Sequence, residues 1–255
     1  MSRGGTFASL SIPAYRRFLF GNVTSLLGFW LRITAQGWLV WRLTGSEAML
    51  GTVTAVGLLP FVVLSPLGGV WGDRVDRRRL LMLLPLVSVA ANVILGVLVA
   101  TGVVAGWPVL ATAVVVGSAR AVEIPVRNAF VRDLVGLESL RNAVALNAAT
   151  FNTARVVGPA IAAAILWGFG IAPCFLFAAA GNLAMTLALA TLDVAPPAGR
   201  GPRRNPFAEM AEALRYVRGH ARTRTLLLLL AIALVFTWSY QTLMPAFASR
   251  QLGMD

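Results

Sequence analysis

Charge along this chain is confined to short clusters that separate long apolar stretches. The uncharged runs cover 48–72, 80–119, 156–192 and 225–249, which is 25, 40, 37 and 25 residues. About 20 apolar residues at about 1.5 Å each carry a helix across the hydrocarbon layer, so each of the two longest runs holds two crossings. Turn-forming stretches stand at their midpoints, TGVVAGWP at 101–108 and GFGIAP at 168–173. With the first apolar stretch, the pattern predicts seven spans, at 17–41, 48–71, 79–101, 107–128, 142–167, 171–192 and 225–247. The fold class is therefore an all-α membrane protein, since helices satisfy every backbone hydrogen bond within one segment.

Composition agrees. The chain is 58% hydrophobic, has a mean hydropathy of +0.76 and only 13% charged residues, outside the range of soluble domains. All 22 basic residues are arginine, and they sort by loop. Seventeen fall in the N-terminal arm and in the loops after spans two, four and six (Arg127 among them), and two, Arg42 and Arg250, on the other side. This asymmetry puts the N-terminus in the cytoplasm of a bacterial inner membrane. Trp41, Trp71, Trp107 and Trp167 stand at span ends, where interfacial anchors belong. The net charge of +12 suits nucleic acid or anionic lipid. Membrane topology already accounts for it, so the bilayer is the expected partner and nucleic acid is not. A single Cys and a single His exclude a disulfide framework and a metal site built from several such ligands. No cofactor is expected, and the N-terminus carries no cleavable signal pattern.

Between spans six and seven the composition shifts. APPAGRGPRRN, 195–205, reads as a linker, after which Asn205 and Pro206 open an amphipathic helix with Phe207, Met210, Leu214 and Val217 on one face. Such a helix lies in the interface plane, or else is an ordinary solvated linker helix.

The densest charge is in GGVWGDRVDRRRLL, 68–81, where six of the seven residues from Asp73 to Arg79 are charged. A short loop holding topology explains the arginines but not the aspartates or the glycines. Gly68, Gly69 and Gly72 suit close helix approach, and Asp73 and Asp76 suit helix capping or pairing with arginine. Such a loop latches to neighbouring helix ends in one conformation and releases in another. Asp133 and Glu138 in the facing loop are the candidate latch partners.

The spacing Gly69-x-x-x-Asp73-Arg74-x-x-Arg77-Arg78 resembles the signature between the second and third helices of the major facilitator superfamily, with Asp76 where that signature usually has Gly. GDRVDRRRLL, WRLTGSEAMLG at 41–51 and the region 127–162 resemble its enterobactin-exporter and macrolide-efflux branch. The resemblance implies a twelve-helix transporter of two six-helix halves, each a 3+3 inverted repeat, working by alternating access. This chain would then hold a six-helix bundle at 1–194, a cytoplasmic linker at 195–223, and at 224–255 the seventh helix, which opens a second half. Two options follow: a truncated coding sequence, or a chain that works with a partner supplying the missing half. Gly158-Pro159 resembles the core of the antiporter-type motif of helix five, with most of its flanking glycines replaced.

Ionisable residues inside spans are costly, roughly 2.5–3.5 kcal/mol each, and so are candidates for function. Arg32, Arg120 and Arg155 lie inside spans with Glu123, the only carboxylate placed there. Helical spacing puts Gln36 on the face of Arg32, and Arg120, Glu123 and Arg127 on one face of span four, with a kink expected at Pro125. Asn147 and Asn152 accompany Arg155 on span five. Arg32, Gln36, Arg120, Asn147, Asn152 and Arg155 are the expected substrate contacts, and they suit an anionic or strongly hydrogen-bonding small molecule bearing catecholate or carboxylate groups. Glu123 is the candidate for proton coupling, or else a structural counter-charge to Arg120. Gly69, Asp73, Arg74, Arg77, Arg78 and Asp133 form the expected cytoplasmic gate. Asn22 and Asn182 read as helix-packing residues.

Other classes fit less well. Retinal chemistry needs a Schiff-base lysine, and the chain has none. The one histidine, His220, falls in the linker, and a second intramembrane carboxylate is lacking, so hydrolytic chemistry at depth has no catalytic pair. The remaining rival is a half-transporter that inserts or associates without moving substrate.

Overall fold

The computed structural model describes residues 8–192, 212 and 215–252. A short 3-10 helix, Ala8–Ser11, precedes α1, Pro13–Thr44; α2, Glu47–Arg74; α3, Arg77–Ala100; α4, Gly106–Phe169; α5, Ala172–Ala190; and α6, Ala221–Leu252. Among the described residues, five helices are long and apolar enough to cross a membrane: α1, the stretch Glu47–Ser65 of α2, α3, α4 and α5. α6 covers the position expected for the seventh span. Of the expected linker helix, residues 215–219 are helical, while Asn205, Pro206, Phe207, Met210 and Leu214 lie outside the described residues.

Local signals set the ends. Gly45, at φ 58°, closes α1, and the Ser46 hydroxyl caps α2 by accepting from the Met49 amide at 3.3 Å. Asp76 opens α3, accepting from the Arg78 and Arg79 amides at 2.9 and 3.4 Å.

α4 corrects the expected boundaries. Spans four and five were expected as separate helices joined by a loop at 129–141, yet helix runs on through that segment. A straight helix of 64 residues would be about 96 Å long, some three times the hydrocarbon thickness. The chain breaks at one residue, Gly136, whose φ of 68° and ψ of 178° are open to glycine and strained for other residues. Good helix formers flank it, so a single glycine replaces the loop. Backbone dihedrals stay helical at Pro125, where the kink was expected.

Gly136 reverses the chain. In the first half of α4 the Phe130 ring lies tilted against Phe18 of α1 and Arg120 sits over Phe29. In the second half Ala143 meets Tyr15 and Gly158 meets Trp30. The two halves therefore run in opposite directions along α1.

Small residues bring the backbones together. Gly21 of α1 lies against Met185 and Ala188 of α5, and Gly28 against Ala178. In lipid such contacts drive association, because the surrounding tails are as apolar as leucine. Two apolar clusters result. One gathers Tyr15, Phe18, Leu81, Phe130 and Met185 near the α2–α3 turn; the other gathers Leu39, Leu95, Val109 and Phe175 toward the opposite end. On α1, residues 22–36 join them, and there the buried Asn22, Ser25, Arg32 and Gln36 interrupt the apolar core.

Candidate functional site

A cavity of about 1120 Å³ opens in this interrupted zone, between α1, α2, both halves of α4 and α6. Four arginines line it: Arg32 from α1, Arg120 and Arg127 from the first half of α4, and Arg155 from the second. No carboxylate stands among its described lining residues. Gln36, Asn147 and Asn152 also line it, so the six expected substrate contacts share one wall system.

Each side chain is held differently. The Arg32 guanidinium donates from Nη1 to Gln36 Oε1, one helical turn on, while its buried Nε has no hydrogen-bond partner. Arg120 lies with its Cζ 4.0 Å from the centre of the Phe29 ring, a cation–π contact on a residue only 6% exposed. Arg127 donates from Nη1 to Asn22 Oδ1 at 2.9 Å. Asn152 spends its amide on the Ala148 carbonyl at 2.9 Å, one turn back on its own helix. The buried Asn147 Oδ1 accepts no hydrogen bond.

Glu123 is not on the cavity wall. Its carboxylate, 1% exposed, sits behind, 4.0 Å from Arg120 Nη1 and 3.4 Å from Arg127 Nη1, and neither oxygen accepts a hydrogen bond. Expected helical spacing placed these three together, and they are. Arg127, however, was counted with the loop arginines, and it is 9% exposed inside the bundle. The helix continues to Val135, so Arg127 lies two turns from its end. Asn22 was read as a packing residue; it joins α1 to α4 as the acceptor for Arg127, and it also lines the cavity. No sequence signal identified it, because its partner is 105 residues away. Asn182 does pack helices, accepting from Ser25 at 2.9 Å. Tyr240, Gln241 and Thr242 of α6 also reach the wall and were not anticipated.

The charged turn forms a second assembly. Arg77 meets Asp133 of α4 at 2.6 Å, and its Nε donates to the Gly72 carbonyl at 2.9 Å. Arg78 reaches the end of α5, donating to the carbonyls of Leu189 at 2.9 Å and Ala190 at 2.8 Å. Arg17 of α1 donates to Thr191 at 3.1 Å in the same place. Cations at a helix C-terminus complement its dipole and unpaired carbonyls. Gly68 and Gly72 approach α4 closely, but Gly69 does not: a Cβ there would meet nothing within 4 Å. It lies about 100° around the helix from Gly68 and faces away from the contact. Among the described residues Glu138 forms no ion pair. The side chains of Asp73 and Arg74 lie outside the described residues.

Residues 4–255 match the family described as transmembrane secretion effector. The chain belongs to this family of major facilitator superfamily transporters. It is 26% identical over 239 residues to a staphyloferrin A transporter of Staphylococcus aureus, covering 91% of this chain and 59% of that protein. It is 26% identical over 230 residues to the enterobactin exporter EntS of Salmonella typhimurium, covering 85% and 53%. With multidrug resistance protein 2 of Bacillus subtilis it shares 22% over 219 residues, covering 84% and 52%. The chain thus spans about half the length of the curated relatives it matches. No solved structure matches it. As a member of this family it is a multi-pass membrane protein, and its named relatives are transporters, not enzymes.

Proposed function

We propose that this chain forms the cargo-binding part of a secondary active exporter that moves a small anionic or amphipathic molecule by alternating access. The reading rests on one observation above all: four guanidinium groups line a single cavity of about 1120 Å³. That volume suits a drug-sized molecule, and arginine forks bind carboxylates in paired, charge-assisted hydrogen bonds. The names of the relatives supply the export direction and the siderophore-like cargo class.

In this reading residues 1–194 are the first bundle, 195–223 a cytoplasmic linker, and 224–255 the seventh helix of the whole transporter. The N-terminus lies in the cytoplasm and the protein in the bacterial inner membrane. Arg32, Gln36, Arg120, Asn147, Asn152 and Arg155 contact cargo. Gly69, Asp73, Arg74, Arg77, Arg78 and Asp133 form the cytoplasmic gate, with the Arg77–Asp133 pair closing one side of it. Glu123, shared between Arg120 and Arg127 at the back of the wall, is the proton-linked group.

The test is uptake of a labelled siderophore-type anion into everted membrane vesicles energised with a proton gradient. Loss of one charge-assisted contact is worth roughly 1.5–3 kcal/mol, so Arg32→Ala should weaken apparent affinity about tenfold to a hundredfold. Glu123→Gln should remove the dependence of anion binding on pH. Unchanged uptake in both variants would sink these assignments.

A further inference from the structure

The charges around the cavity do not balance. Arg32, Arg120, Arg127 and Arg155 face it, and arginine stays protonated inside proteins. Among the described residues Glu123 is the one carboxylate paired with any of them, and it is shared by two from behind the wall. Among the described residues three positive charges are left over. Nor are they dispersed: all four line one cavity. Arg32 Nε, on a residue 8% exposed, has no acceptor. A buried charge without a counter-charge is costly, and water alone does not relieve like-charge repulsion in a confined space.

A singly charged cargo would leave two of the three excess charges uncompensated. A neutral catechol would leave all three, because phenolic hydroxyls ionise only near pH 10. Carboxylates are ionised at neutral pH and match the guanidinium fork. Accepting the cavity as the cargo site, the geometry points to an organic polyanion with two or more ionised carboxylates as the ligand, and to Glu123 as the group that sets how many charges are accepted. Glu123 acts here as a positioning residue. It does not touch the cargo, but it withholds one unit of positive charge from the cavity.

Titration calorimetry on the purified chain in nonionic detergent, at fixed ionic strength, tests this. The probes are tricarballylate, glutarate and butyrate, with three, two and one carboxylates, and neutral catechol. Affinity should climb by roughly tenfold or more with each added carboxylate, the ordinary size of one charge-assisted contact. Arg32→Gln should flatten the ladder. Glu123→Gln should steepen it, strengthening tricarballylate by about tenfold more than butyrate. Arg42→Gln, outside the cavity, should leave it unchanged. If catechol binds at least as tightly as tricarballylate, the polyanion assignment is overturned while the cavity remains a binding site. If no probe binds, both the assignment and the reading beneath it fail. The ladder is read on the unsubstituted protein, so a variant that does not fold leaves the decision intact.

Discussion

Two adjacent glycines in α2 should respond to the same substitution with opposite signs. A Cβ added at Gly68 would stand 2.9 Å from Val122 Cα, 3.0 Å from Val122 O and 2.8 Å from Pro125 Cγ. Two of these are backbone atoms and the third is a ring carbon, so no rotamer change relieves the clash. Restoring ordinary contact near 3.4 Å moves α2 and α4 apart by about 0.5 Å, and a gap of that size forfeits roughly a quarter of each affected dispersion contact. Overpacking of this kind costs about 1–3 kcal/mol. Alanine recovers about 0.8–1.0 kcal/mol in helix propensity, so the steric term wins over most of its range and Gly68→Ala should destabilise by up to about 2 kcal/mol. At Gly69 the steric term is absent. Gly69→Ala should therefore stabilise by up to about 1 kcal/mol. Cys174, the only cysteine and fully buried, makes the assay direct: a thiol-reactive dye fluoresces as heating exposes it. For a chain of this size 1 kcal/mol corresponds to roughly 2–4 °C. Gly68→Ala should lower the midpoint by up to about 8 °C and Gly69→Ala should raise it by up to about 4 °C. Equal midpoints for the two variants would refute the helix contact read from the structure.

Three further outcomes are expected. Arg77→Gln and Asp133→Asn should each lower the melting midpoint, and the charge-swapped double variant should recover part of the loss, with a coupling of about 0.5–1 kcal/mol for a pair that is mostly but not fully buried. Asp76→Ala should cost about 1 kcal/mol and speed hydrogen exchange at the Arg78 and Arg79 amides, which lose their acceptor. An engineered thiol at position 76, in a Cys174→Ala background, should react with an impermeant reagent only from the cytoplasmic side. Labelling from the periplasm in sealed cells would reverse the proposed orientation.

The sequence carried the all-helical, membrane-crossing class because bilayer thickness acts on length and charge alone. It also brought Arg120, Glu123 and Arg127 together, since i, i+3 and i+4 neighbours share a helix face whatever the fold. What it did not carry was the facing of the helices. In a soluble protein the apolar stripe marks the interior, but lipid accepts leucine and valine as readily as the core does. Thus Phe20 and Ile94 are 65% and 57% exposed while Phe18 and Leu95, close by on the same helices, are fully buried. Asn22 and Gln241 could not be assigned to the cavity for the same reason. Gly136 escaped notice because a glycine in a segment of mixed apolar and charged residues looks like any loop glycine; only its dihedrals show that it is the whole turn.

The four cavity arginines bear on why this facing exists. At roughly 2.5–3.5 kcal/mol each for insertion at depth, they amount to about 10–14 kcal/mol, the scale of an entire domain's stability. Glu123 offsets part of this for Arg120 and Arg127, and Phe29 and Asn22 offset a little more. Arg32 and Arg155 have no carboxylate partner among the described residues. Topology does not require them, because the loop arginines suffice for the proposed orientation. Packing does not require them either, because glycine and alanine contacts join α1 to α5 without charge. Under the proposed function, an anion drawn into the cavity offsets much of the penalty, and it does so only where the guanidinium groups line one space, which is where α1 and the two antiparallel halves of α4 put them.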